Sequence, residues 1–212
     1  LYGEKINLSD VLDIFVNGTN HSEKDTEISM YVDTIIMKNK ISITDAEVIL
    51  SCINHNCSGS QFTGKFLQDG GSNISAKYSE IGLEAYAENA GMLLSSLGIS
   101  KSIKGGKMSF YLSTKREDGK HYGMVSTSNF YVKDAPLLTT LLSMSSLSGI
   151  VNLLNKEGIH FYKCNIPFSY SNDIIDIEES WLEGVELGIT TSGKLNIKDN
   201  KFQVTGQLIP AY

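Results

Sequence analysis

Residues 160–212 read HFYKCNIPFSYSNDIIDIEESWLEGVELGITTSGKLNIKDNKFQVTGQLIPAY, and their punctuation decides the fold. Asn172 with Asp173, and Asp199 with Asn200, are turn pairs; between them apolar and polar residues alternate with the two-residue period of extended chain. Four consecutive strands joined by hairpins is the economical reading: HFYKCNIPFSY, DIIDIEESWL, ELGITTSGKLNI and KFQVTGQLIPAY. Ile175, Ile177 and Trp181 share one parity, as do Phe202, Val204 and Leu208, while Asp176, Glu178, Ser180, Gln203, Thr205 and Gln207 take the other. Such a sheet has one apolar face and one wet face.

Working back from there, KDAPLLTTLLSMSSLSGIVNLLN at 133–155 breaks the alternation. Asp134 reads as an N-cap and Pro136 falls in the first turn, where its missing N–H leaves no bond unmade. Leu137, Leu138, Leu141, Leu142 and Met144, then Leu147, Ile150, Val151 and Leu154, recur at three and four residues. Gly149 and the serines at 145–148 interrupt them, which predicts two short helices with a kink. Their apolar positions circle too much of the helix surface for half of it to face water, so cover on more than one side is expected. A charge at Leu141 should then unfold or aggregate the domain.

The same alternation runs through the earlier chain. KMSFYLST at 107–114 sets Met108, Phe110 and Leu112 against Ser109, Tyr111 and Ser113; Asp118 and Gly119 make a hairpin turn, and the return strand runs from about His121 to Val132. Tyr86 to Leu97 reads as a second helical element on Ala87, Ala90, Leu93, Leu94 and Leu97, stopped by Gly98. Before it, Ile28, Met30 and Val32, then Ile41 and Ile43 after the turn KNK, then Ala46, Val48, Leu50 and Cys52, then 62–66 and 74–78, have the spacing of an antiparallel meander. Leu8, Val11, Leu12, Ile14 and Phe15, preceded by Asn7 and Ser9, suggest one or two helical turns before Gly18.

The expected fold is therefore mainly β with a few short helices: a curved antiparallel sheet forming a half-open groove, capped by helices near residues 87–97 and 135–155. Size supports the groove. About nine or ten strands at ~4.8 Å spacing make a sheet roughly 45 Å by 20 Å, and two or three helices ~15 Å long and ~10 Å across cannot tile it. The uncovered apolar face must curl, pack on another chain or hold an apolar ligand. Candidate wall residues are Met108, Phe110, Leu112, Ile175, Ile177, Trp181, Phe202, Val204 and Leu208. The helical cap would comprise Asp134, Pro136, Leu137, Leu138, Leu141, Leu142, Gly149, Ile150 and Leu154.

Composition narrows the function. The formal charge is -6 and Arg116 is the only arginine, which argues against a nucleic-acid surface. No apolar run approaches the roughly 20 residues needed to span a bilayer. The chain begins at Leu1 and is expected to be a piece of something longer. Cys52 and Cys57 flank Asn-His-Asn, so they are either locally bridged in an oxidising compartment or, with Cys164, three free thiols. A zinc site from Cys52, His55, Cys57, His160 and Cys164 fails on reach, because a strand holds His160 and Cys164 about 13 Å apart. No nucleophile elbow, phosphate loop or H-E-x-x-H motif occurs, and Asp173, Asp176, Glu178 and Glu179 read as a solvated strand face. No catalytic residue, cofactor or metal is expected.

Five segments in order, ENAGMLLSSLGI, IKGGKMSF, VKDAPLLTTLLSMSSLSGIVNLL, EGIHFYKCNIPF and VELGITTSGKLNIKDNKFQVTGQLIPAY, resemble the C-terminal region of the AsmA-like family, in particular its YhdP-type branch. The likeness covers about residues 80–212, with 1–79 a strand-rich lead-in to the same elongated domain. It implies a relative of bridge-like lipid transfer proteins. Such a protein works in the bacterial periplasm, is held to the inner membrane by a segment outside this chain, and carries phospholipid acyl chains along an apolar sheet toward the outer membrane. The remainder of its own longer chain and membrane or envelope proteins would be its partners, and no nucleic acid. The rival reading is a structural docking module for envelope assembly, without bound lipid.

Overall fold

Alternating, turn-punctuated sequence becomes strand almost throughout. The computed structural model describes residues 2–8, 25–53, 57–144, 147–199 and 201–210. The expected early helical turn on Val11, Leu12, Ile14 and Phe15 lies outside these, as do His55, Ser145 and Ser146. Twelve strands are described: β1 (Tyr2–Asn7), β2 (Thr26–Ile36), β3 (Ser42–Cys52), β4 (Gln61–Phe66), β5 (Ser72–Ser79), β6 (Gly82–Ala87), β7 (Ile103–Ser113), β8 (His121–Val132), β9 (Ile159–Ser171), β10 (Ile174–Gly184), β11 (Leu187–Asn196) and β12 (Lys201–Pro210). They form one open, curved sheet in sequence order. Every neighbouring pair is antiparallel except β1 and β2, which run parallel.

A meander of this kind has two unlike ends. Plain turns join β5 to β6, β7 to β8, β9 to β10 and β11 to β12 at one end, where the Cys52–Cys57 disulfide also lies between β3 and β4. At the other end all the connections from β2 to β9 carry helix, and only the short β10 to β11 turn does not. These are the single 3-10 turns Lys38–Lys40 and Leu67–Asp69, then α1 (Ala90–Ser96), α2 (Pro136–Met144) and α3 (Ser148–Lys156).

Register builds the apolar face from rows crossing the strands. Met30, Val48, Phe62, Ala76, Ala85, Phe110, Val125 and Ile166 stand opposite one another in successive strands. Two residues nearer the turn end run Tyr78, Leu83, Leu112, Gly123, Phe168, Ile177, Gly193 and Val204. Two residues nearer the helical end run Ile74, Ala87, Met108, Thr127, Cys164, Leu182, Ile189 and Leu208. The Phe168 ring lies across Gly123, where an added Cβ would stand 2.2 Å from the ring, and stacks on Phe110 with centroids 6.1 Å apart. Glycine in mid-strand is thus the space that the aromatic fills.

Two cores sit on this face at the helical end. Val32, Ile35, Ile43, Ala46, Phe66 and Ile74 pack beneath α1, which contributes Met92, Leu93 and Leu97. Phe130, Ile159, Phe161, Cys164 and Leu187 pack beneath α2 and α3, which contribute the fully buried Leu142 and Leu154.

Several expectations are corrected. Tyr86 and Ala87 are strand, because β6 pairs along its length with β5 and β7; their three-and-four spacing from Ala90 is coincidental. The helix begins at Ala90, capped by Asn89, whose side chain accepts the Met92 N–H at 3.0 Å, and Gly98, at φ +75°, follows it as expected. Asp134 is not the cap of α2. It lies two residues before Pro136, at φ +50°, and its carbonyl accepts from the Ser102 hydroxyl. Two helices do replace the single run, but Gly149 lies inside α3 rather than at the break. Finally, α2 is covered on one side only: Leu138 and Leu142 turn inward, while Leu137, Leu141 and Met144 are 66%, 44% and 79% exposed.

Candidate functional site

Two neighbouring depressions on the apolar face lie in the N-terminal half and share Phe62 in their linings. Beneath α1, Leu8, Ile35, Met37, Ile43, Ile74, Leu93 and Leu97 surround a cavity of about 210 Å³. Toward the turn end, Val48, Leu50, Ala76, Tyr78 and Leu83 line a more open hollow of about 160 Å³. Phe62 borders both.

The first depression exists because α1 is short and firmly held. Asn39, at φ +57°, donates its side-chain amide to the Ser95 carbonyl at 2.8 Å, filling one of the acceptors left open at the helix C-terminus. At the other end Asn89 donates to Asp69 at 2.7 Å. Burial works to raise the Asp69 pKa, but hydrogen bonds from Ser72, Asn89 and the Gly71 N–H outweigh it and hold the carboxyl below its usual range. Gly91 lets the helix lie against β7, since a Cβ there would meet the Ile103 carbonyl at 2.6 Å. Pinned at both ends, a helix this short leaves the space between Leu93, Leu97 and Phe62 unfilled.

None of the nine predicted wall residues lines these two depressions. Phe110 and Leu112 continue the same rows on β7, next to the hollow, and Met108 is buried. Ile175 and Ile177 lie on the apolar face four strands from Leu83. Phe202 and Val204 share that face on edge strand β12, 70% and 48% exposed. Leu208 packs against the core under α2 and α3.

Trp181 is on the opposite face. A bulge between Ile177 and Ser180 adds a residue to β10, so everything after it flips. Ser180 takes the apolar-face position, fully buried with its hydroxyl donating to the Glu178 carbonyl, and Trp181 stands between Asn165 and Thr190 beneath the Lys163 ammonium, 4.8 Å from the ring centre. Simple parity cannot see a bulge.

Sequence reasoning missed Leu83, which falls between the strand read at 74–78 and the helix read from Tyr86, so that β6 went unrecognised. Val48, Leu50 and Phe62 were legible as strand residues, but nothing distinguished them as lining a hollow. The cysteines resolve the alternative left open by spacing: Cys52 and Cys57 are bridged, and Cys164 is a buried thiol whose pKa burial pushes up to about 11. Among the described residues, no group of three or more His, Cys, Asp or Glu side chains is placed to hold a metal ion, and no helix is long and apolar enough to cross a membrane.

No family model matches this chain, and neither does any curated protein or solved structure in the comparisons made. The likeness to the AsmA-like family has no support from them.

Proposed function

We propose that this chain is a non-enzymatic lipid-binding segment of an AsmA-like envelope protein, one that seats phospholipid acyl chains on the apolar face and passes them between the inner and outer membranes. It would lie in the periplasm, tethered to the inner membrane by a segment outside this chain. The observation that carries the reading is the pair of adjoining apolar depressions at Phe62, bordered by rows of half-covered aliphatic and aromatic side chains that continue across the sheet. An acyl chain needs no particular partner there. It gains about 0.8 kcal/mol per buried CH₂ whether the wall is Leu, Val or Phe. The Cys52–Cys57 bridge suits an oxidising compartment such as the periplasm.

The test is native mass spectrometry with lipid extraction on the chain purified without harsh detergent. Phospholipid at about one per chain, lost in Leu50→Asp and Leu83→Asp variants that melt like the parent, is the expected result. A clean apo mass overturns the reading. One observation favours a structural docking module instead: the outward stripe Leu137, Leu141 and Met144 on α2. In that case lipid is absent, and Leu137→Asp abolishes association with a specific envelope protein.

A further inference from the structure

A depression larger than either of those at Phe62 lies on the other, polar face of the sheet. Gln61, Thr63, Lys77, Glu84, Tyr86 and Tyr111, with their neighbours, line an open trough of about 550 Å³ on the polar face, crossing β4 to β8. Four strand spacings make it about 19 Å long. Its volume falls in the range of about 300–1,000 Å³ usual for ligand clefts.

Register places three tyrosines along its side in a diagonal ladder. Tyr86 on β6 stands opposite Ser109, Tyr111 on β7 opposite Glu84, and Tyr122 on β8 two residues beyond Met124, which pairs with Tyr111. Each step moves one strand over and two residues toward the turn end. Two of the three rungs are held by their hydroxyls: Tyr111, in the middle, donates to the Ile81 carbonyl at 3.1 Å and Tyr122 to Asp118 at 2.6 Å. Asp118 in turn accepts the Lys120 N–H, and these bonds hold its carboxyl below the usual range while raising the Tyr122 phenol. The Tyr111 and Tyr122 rings are therefore fixed by their tips, and Tyr86 and Tyr122 are 39% and 37% exposed.

We infer that this tyrosine ladder and the trough beside it bind an extended, uncharged carbohydrate chain. The C–H bonds on a sugar ring's face carry partial positive charge and meet the negative face of an aromatic ring. The hydroxyls and the amide of the trough, Thr63, Ser75, Ser109 and Gln61, are the donors and acceptors that sugar hydroxyls pair with. Lys77 stands directly opposite Glu84, so the two charges at the trough's centre cancel and no anion is selected. An acyl chain would strand these polar groups unpaired. The site is independent of the lipid reading, being built on the other face of the sheet.

The experiment follows backbone amide shifts of the full chain on titration with chitohexaose, and with cellohexaose as a second probe. Saturable shifts at β6 to β8, with affinity falling at least tenfold in Tyr86→Ala/Tyr122→Ala while Leu50→Asp on the opposite face leaves it unchanged, are the expected result. Circular dichroism melting checks that each variant is folded, and Tyr122→Phe, which keeps the ring and removes only the tether, is to lose less than Tyr122→Ala. The inference is overturned if neither hexasaccharide shifts these amides at millimolar concentration, if the double variant binds as the parent does, or if the shifts map to the apolar face.

Discussion

The cores under α1 and under α2 with α3 are made from the same materials and end differently. Each is a patch of the apolar face at the helical end, roofed by the chain that connects two strands. Under α2 and α3 the roof is two helices, Phe130 stacks on Phe161 at 5.6 Å, and Leu142 and Leu154 are fully buried. Under α1 the roof is a single seven-residue helix, and about 210 Å³ stays empty beside it. The difference lies in roof area, since the second region is the better filled although its face includes the buried Thr127 and Ser180. An open apolar depression forms where the connection is too short to cover its sheet.

The sharpest way to break this comparison is to remove the best-placed roof residue. Leu142→Ala should cost about 2–5 kcal/mol, the lost transfer energy plus a cavity that the two helices cannot collapse into. Its neighbour Leu141, half-exposed, should tolerate Asp at under about 1 kcal/mol, contrary to the expectation drawn from the sequence pattern. Urea unfolding of both variants checks the pair; equal losses would mean that α2 is rotated about its axis.

Filling, next, should have opposite signs in the two cores. Leu154→Phe overpacks a full site and should destabilise by about 1–3 kcal/mol. Leu93→Phe has a void to grow into and should stabilise by about 0.5–2 kcal/mol, lifting the melting temperature while displacing any bound lipid. A destabilising Leu93→Phe would show that the void is needed by the helix rather than left over from it.

The smallest effect is on pH. Among the described residues, the second core alone holds a titrating group, Cys164, whose folded pKa is pushed up to about 11 by burial. A raised folded pKa gives stability that is fully present below the unfolded value, near 8.5, and is lost as pH rises toward about 11. The urea midpoint should therefore fall over that window more in the parent than in Cys164→Ala, and the thiol should stay unreactive to a thiol reagent at pH 8 until the chain unfolds.

Most of the sheet was legible because alternation and turn chemistry are local. Asn172 and Asp173, at φ +49° and +61°, turn the chain where their residue types say they should, and β8 and β9 begin and end close to their pattern boundaries. The losses share one cause, a residue inserted or displaced without a sequence mark. The bulge in β10 sent Trp181 to the other face, and β6 was hidden because Ala87 falls at helical spacing from Ala90. The candidate site was less legible than the fold. Which part of an apolar face remains open depends on the length and tethering of α1, which rest on Asn39 and Asn89 reaching distant backbone and side-chain partners.

Consecutive strands being spatial neighbours along the whole sheet has a consequence for synthesis. Each strand from β3 onward, as it leaves the ribosome, meets a partner that has already emerged, so the sheet can grow in the direction of translation without waiting for distant chain. The latest strand is always a bare edge during that growth. The helix α1, made after β6, arrives when the β2 to β5 surface it roofs is already in place, whereas α2 and α3 precede the β9 and β11 residues that complete their core.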